Sequence, residues 1–195
     1  MASATAPVSA STRRRTLTEL ARDPRRTVLL AVVLMTFVTC IDVLHDPDVW
    51  WHLRLGQWII DHHRLPGGEL FSYTAAGKPF TAHEWFADVI FASVHAVGGM
   101  LAIAIVCALV SWSGLVALVL RARDRRVSPL VIAVGIAIGA KASQVVLGSR
   151  PQVATFALAC WTLLIAERYL AAGGRRRWLL PPLFLLWANV HAGFL

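Results

Sequence analysis

The sequence predicts an all-α, polytopic helical membrane protein with about five transmembrane helices. Of its 195 residues, 57% are hydrophobic and only 15% are charged, whereas soluble domains average about 25% charged residues. Apolar runs of about 20 residues, the length that crosses a bilayer, recur along the chain. Short arginine blocks separate these runs, as topology signals do in membrane proteins.

The amino-terminal part predicts a tail followed by a first span. Residues 1–22 are rich in Ala, Ser, Thr and Arg and are predicted to be disordered and cytoplasmic. Asp23 and Pro24 are typical of a helix start, with a capping carboxylate followed by proline in the first turn. The first span is predicted over 24–44. Because no small-x-small cleavage site follows it, we expect a retained helix and not a signal peptide.

A long outer loop with one or two interfacial helices is predicted over 45–99. Asp46 and Pro47 begin a short helix over 49–60, whose tryptophans suit the lipid–water interface. Residues 71–74 are expected to be extended. A second short helix over 84–97 places Glu84, Asp88 and His95 on one stripe and ends at the Gly-Gly pair 98–99. Capping of this helix also explains His83 and Glu84, and Asp88 and His95 are interpreted as a solvated face.

The remaining spans complete a membrane domain over 23–195. They are predicted over 100–120, 128–147, 153–170 and 178–195. Gly135 and Gly139, four residues apart, predict a helix-packing face. The last apolar run ends without interfacial residues, so we expect a truncated gene product or a partial sequence.

The charge pattern predicts the orientation. With five spans, the three arginine blocks fall on one side, which the positive-inside rule makes cytoplasmic, with the amino terminus. The arginine-over-lysine bias is typical of GC-rich bacteria and favours the bacterial inner membrane. Nucleic acid is excluded as a partner because the net charge of +8 forms no continuous basic face.

This orientation brings the polar residues with chemical potential to the outer side. They are Asp46, Asp48, His52, His83, Glu84, Asp88, Arg150 and Gln152, with Lys141, Asn189 and His191 deeper in their spans. Helix capping also explains the two aspartates, and snorkelling to the headgroups also explains Arg150. Intramembrane ionisable groups usually have a partner or a function.

A divalent metal remains an open alternative. His83-Glu84 begins like a zinc-protease helix, but position 87 is alanine where that motif needs histidine. His45, Asp48 and His52 have a helical spacing that suits a metal ion. The three cysteines lie in apolar runs and are interpreted as packing residues.

Several motifs resemble those of bacterial multi-spanning glycosyltransferases of the GT-C type, which include protein mannosyltransferases and aminoarabinose transferases. The resemblance covers roughly 24–195. It rests on Asp-x-Asp-x-Trp-Trp-His-Leu at 46–53, Phe-Ser-Tyr-Thr at 71–74, His-Glu-Trp at 83–85, Arg-Pro-Gln at 150–152 and Trp-Ala-Asn-x-His-x-Gly-Phe at 187–194.

The resemblance implies transfer of a sugar from a polyprenyl-phosphate donor, a membrane lipid, at the outer leaflet. It implies Asp46 or Asp48 as the general base and Arg150 against the donor phosphate. The other substrate-binding residues would be His52, His83, Glu84, Gln152 and His191, with Mg²⁺ or Mn²⁺ as the metal where one is used.

The alternative is a non-enzymatic membrane protein, such as a transporter segment or an assembly subunit. Lys141 and His191 would then form a polar pathway through the spans.

Overall fold

The computed structural model describes residues 23–41, 46–143 and 148–193, and within them the chain is all-helical. The helices are α1 (Pro24–Thr39), α2 (Val49–His62), α3 (Trp85–Asp124), α4 (Pro129–Ala142), α5 (Gln152–Ala172) and α6 (Leu180–Val190), with a 3₁₀ helix at Arg175–Leu179. The described residues contain one isolated β-bridge, Gly68 to Pro79, and no strand. The predicted all-α class is confirmed. The predicted tail over 1–22 and His45 lie outside the described residues.

The polar loop between α2 and α3 folds as turns. The prediction that residues 71–74 are extended is wrong, because Oε1 of Glu69 accepts hydrogen bonds from the backbone N–H groups of Phe71 and Ser72 at 2.9 and 3.0 Å. Phe71 and Phe80 pack edge-on against Trp51. The loop therefore folds back onto α2.

Helix α3 changes direction at the predicted glycine pair. Gly98 and Gly99 have non-helical dihedral angles, and φ of Gly99 is +62°, a region that glycine enters without a Cβ clash. The first arm of α3, before this break, corresponds to the predicted helix over 84–97. The second arm contains the predicted span over 100–120.

The long helices pack side by side with a consistent order of contacts. Cys107 of α3 packs with Val153 of α5, and Ala117 packs with Cys160 and Leu164 further along, so the second arm of α3 and α5 run parallel. Helix α1 runs the other way, with Cys40 near Ala108 and Val33 near Leu115.

Ion pairs join the ends of α3 and α5. Arg121 makes two hydrogen bonds to Glu167, at 2.8 and 2.7 Å, and Arg168 pairs with Asp124 at 2.6 Å. Arg25 and Arg26 begin α1 at this same end because α1 and α3 are antiparallel. The bundle therefore has an arginine-rich end, and the loop from 46 to 84 lies at the other.

Two helices of the described part, α3 and α5, are long and apolar enough to cross a membrane, judged by length and composition alone. Helix α4 is apolar but shorter. Helix α1 has 16 residues, ending at Thr39 and not at 44. Helix α6 has 11 residues and ends at Val190, where the backbone of His191 becomes extended. Residues 144–147, at the end of the predicted third span, lie outside the described residues.

The glycines of α2 and α4 have different surroundings: one lies in a tight helix contact and two face open space. A Cβ on Gly56 of α2 would lie 1.9 Å from the backbone oxygen of Asp88, so the two helices touch through their backbones. A Cβ on Gly135 or Gly139 would meet nothing within 4 Å. These two glycines line a cavity of about 400 Å³ between α3, α4 and α5, and the predicted packing face is not formed by the described residues.

We predict opposite effects of alanine at the two kinds of glycine. Gly56→Ala should lower the free energy of unfolding by about 1–3 kcal/mol, because the added methyl group forces α2 and α3 apart. Gly135→Ala should be neutral or stabilise by about 0.5–1 kcal/mol through helix propensity alone. Thermal unfolding in detergent micelles measures both, and equal effects would contradict the packing described here.

Candidate functional site

The centre of the site is a hydrogen-bonded pair formed by His52 of α2 and Asp88 of α3. Nδ1 of His52 lies 2.6 Å from Oδ1 of Asp88. Asp88 is 1% exposed, so its carboxylate is held away from water. Because an ionised carboxylate only accepts hydrogen bonds, Nδ1 carries the proton and the neutral imidazole has its lone pair on Nε2.

Burial and charge act in opposite directions on His52. Burial lowers its pKa, but the hydrogen bond to Asp88 and the negative charges of Asp88, Glu84 and Asp48 raise it by more, so the pKa lies above the ordinary histidine value. Burial also raises the pKa of Asp88, against the opposite effects of His52 and His83. The pair therefore retains protons to higher pH than two isolated groups would.

Glu84, at the start of α3, is surrounded by three imidazoles. Its carboxylate oxygens lie 3.9 Å from Nε2 of His52, 3.7 Å from Nε2 of His83 and 3.6 Å from Nε2 of His191. These distances exceed those of a direct hydrogen bond. The Glu84 side chain forms no capping hydrogen bond to α3, so it faces the histidines instead of the helix end.

A second network holds His191 from the side of α5. Trp187 Nε1 donates to Oγ1 of Thr155 at 2.9 Å, and this hydroxyl lies 2.7 Å from Nδ1 of His191. The backbone N–H of Gly193 donates to the same Nδ1 at 3.1 Å. Nδ1 is therefore an acceptor, and neutral His191 presents Nε2–H toward Glu84, the opposite tautomer to His52.

The two candidate aspartates have different surroundings. Oδ2 of Asp46 pairs with Nε of Arg150, and Oδ1 accepts from the backbone N–H of Asp48 at 3.0 Å. The Asp46 side chain is 7% exposed, whereas Asp48 is solvent-exposed. Asp48 occupies the capping position of α2 without a side-chain capping bond. The bond from the N–H of Asp48 to Asp46 has the same two-residue spacing as the capping bond of Asp23 at the start of α1, so capping accounts for Asp46 but not for Asp48.

The Asp46–Arg150 pair and the histidines around Glu84 meet at the start of α5. Val49, next to Asp48, packs against Val153, and Thr155 binds His191 one half-turn later. Oε1 of Gln152, in the same turn, is buried without a hydrogen-bond partner among the described residues. The structure thus brings together Asp46, Asp48, His52, His83, Glu84, Arg150, Gln152 and His191. Lys141 is solvent-exposed on the last turn of α4.

Sequence reasoning missed the contribution of Asp88. The prediction of a solvated face for Asp88 and His95 is wrong for Asp88, because α2 packs against this part of α3 and leaves Asp88 1% exposed. Asn189 also has a specific role, since its Oδ1 accepts from Trp85 Nε1 at 2.7 Å. The helical spacing of these residues and the small side of α2 at Gly56 are compatible with such contacts. They do not show which side chains meet.

The residues do not fit Mg²⁺ or Mn²⁺. Hard divalent ions prefer oxygen ligands, whereas Glu84 is surrounded by imidazole nitrogens. No group of three or more His, Cys, Asp or Glu among the described residues is arranged to hold a metal ion. His45, one member of the alternative metal set, lies outside the described residues. No metal enters the chemistry below.

Comparisons with known proteins identify no relative: no protein-family model matches this chain, and neither a curated protein nor a solved structure is significantly similar to it.

The His52–Asp88 pair predicts a measurable titration. We expect the imidazole of His52 to titrate above the ordinary value of 6.5, and Asp88→Asn to shift the midpoint to lower pH. The substitution removes the charge and the strong acceptor that raise the pKa, while burial still lowers it. Histidine-selective NMR in micelles measures the shift, with His62→Gln as the assignment control. An unchanged midpoint in Asp88→Asn would show that the pair is not formed.

Proposed function

We propose that this chain carries the site of an integral membrane glycosyltransferase that uses a polyprenyl-phosphate sugar donor at the outer leaflet. The observation that carries the proposal is the convergence of an arginine, carboxylates and imidazoles at one end of a helical bundle. They come from the 46–88 region, the connection before α5 and the end of α6. A cation for a donor phosphate and several proton-accepting groups are the components that glycosyl transfer from such a lipid needs.

Exposed apolar side chains support the membrane location. Met35 and Val38 of α1, Ile138 of α4 and Leu185 of α6 are each more than half exposed, which suits lipid contact and is costly in water. The arginine-rich end opposite the site gives the cytoplasmic side by the positive-inside rule. The proposed location is the bacterial inner membrane, with the site facing outward.

Arg150 is the proposed contact for the donor phosphate. A guanidinium has five N–H donors and binds phosphate oxygens in pairs, and the Arg150 side chain is 35% exposed. Its contact with buried Asp46 through Nε orients the group without using all its donors. The motif resemblance predicts Asp46 or Asp48 as the base, and Asp48 is the solvent-exposed one of the two.

The topology makes a direct prediction for thiol labelling. The three native cysteines are buried, and Tyr73 in the loop is 98% exposed. In intact cells Tyr73→Cys should react with an impermeant maleimide, because the loop is proposed to face outward. Arg176→Cys, at the arginine-rich end, should react only after permeabilisation. The reverse pattern would overturn the orientation.

Transfer itself is tested with radiolabelled short-chain polyprenyl-phosphate hexoses and pentoses in proteoliposomes. Arg150→Gln should raise KM for the donor by about 10- to 100-fold, because a charge-assisted hydrogen bond contributes about 1.5–3 kcal/mol. Lys78→Gln, which removes an exposed charge from the loop between α2 and α3, is the matched control.

The carboxylates are tested in the same assay. Asp48→Asn tests the role of base that the motif resemblance implies for this residue, and Asp61→Asn, an exposed aspartate at the end of α2, controls for loss of charge. Sugar transfer by none of the donors with the wild-type protein would overturn the proposed function. Transfer with an unchanged KM in Arg150→Gln would overturn only the role of Arg150.

A further inference from the structure

We propose that His52 is the group that takes the proton from the acceptor hydroxyl, with Asp88 as the residue that positions it. This inference rests on the glycosyl transfer proposed above and adds a base that the motif resemblance does not supply. Three observations carry it. They are the orientation of the imidazole, the hydrogen bonds that other possible proton acceptors already make, and the charges around the imidazole.

The orientation gives His52 a lone pair where a substrate can approach. Asp88 accepts the hydrogen bond from Nδ1, so the basic nitrogen is Nε2. Nε2 faces the carboxylate of Glu84 at 3.9 Å, too far for a direct hydrogen bond. The side chain retains 12% exposure. A hydroxyl donating to Nε2 at hydrogen-bond distance, as a general base requires, would lie next to Glu84.

The nearby rivals are less suited to accept a proton. Asp46 already receives Arg150 and the N–H of Asp48. His191 is in the opposite tautomer, with its Nδ1 occupied by Gly193 and Thr155. Asp48, His83 and Glu84 are the remaining rivals. Asp48 and His83 are solvent-exposed and lack the buried partner that His52 has, and Glu84 faces the Nε2–H of His191.

The charges around His52 favour a strong base. Asp88 and Glu84 on α3 and Asp48 at the start of α2 are negative, and His83 and His191 also face Glu84. The carboxylates stabilise the imidazolium that forms when Nε2 takes the proton. Burial of Asp88 prevents water from screening this effect.

The proposed step conserves atoms and charge. The proton of the acceptor hydroxyl moves to Nε2 of His52, and the acceptor oxygen forms a bond to the anomeric carbon of the sugar. The bond between that carbon and the phosphate oxygen breaks, and the polyprenyl phosphate leaves with the electron pair. The imidazolium then returns its proton to solvent.

The test is the pH dependence of kcat in the transfer assay. For the wild-type protein, kcat should rise with pH along one acid limb as Nε2 loses its proton. Asp88→Asn should move this limb to lower pH and reduce kcat, because the imidazole becomes a weaker base. His52→Gln should remove the limb and lower kcat on the order of 10²- to 10⁴-fold, the usual contribution of a general base. His62→Gln, on the same helix, should behave as wild type.

Chemical rescue separates a catalytic role from a structural one. His52→Ala should regain part of its kcat when free imidazole is added, whereas Gly56→Ala, which disturbs the same contact through packing, should not. The proposal is overturned if His52→Gln keeps the acid limb, and loss of the limb in Asp48→Asn would then identify Asp48 as the base. It is also overturned if Asp88→Asn leaves the limb in place. Absence of any transfer by the wild-type protein overturns the proposed function and this role together, whereas active protein with an unmoved limb overturns this role alone.

Discussion

The backbone contact between Gly56 and Asp88 is the constraint on which the site depends. Because Gly56 has no side chain, α2 lies against the backbone of α3 at the residue whose carboxylate binds His52. His52 precedes Gly56 by four residues and so lies on the same face of α2, one turn away. The tight contact and the hydrogen bond therefore reinforce each other: one sets the distance between the helices and the other sets their register.

The charged groups at the two ends of the bundle differ in their environment. Arg121, Arg125 and Glu167 lie at an accessible helix end, where water and salt screen ion pairs and their contribution to stability is small. Asp88 and Asp46 are nearly enclosed, and a buried carboxylate is expensive unless it is paired and hydrogen-bonded. Enclosed groups of this kind are seldom kept for stability alone, which is a physical reason to look for function at this end.

The sequence predicted the helices well where the signals are local. Asp23 and Pro24 begin α1, and Oδ1 of Asp23 accepts from Arg25; the Gly98–Gly99 break also depends only on nearby residues. Helix ends were less predictable because neighbouring elements set them. Helix α6 ends at Val190, where Thr155 and Gly193 bind the ring of His191. The burial of Asp88 was not predictable, since a polar stripe on a helix is the same whether water or another helix faces it.

The opposite tautomers of His52 and His191 give the clearest division of roles in the site. Both rings approach Glu84 through Nε2, but the partners of their Nδ1 atoms differ. Nδ1 of His52 faces the Asp88 carboxylate, which accepts a hydrogen bond, whereas Nδ1 of His191 faces the backbone N–H of Gly193, which donates one. Neutral His52 consequently offers a lone pair and neutral His191 offers a proton. One can remove a proton from a bound hydroxyl, and the other directs an N–H toward the Glu84 carboxylate. Two histidines that look equivalent in sequence are thus distinguished by what lies behind each ring.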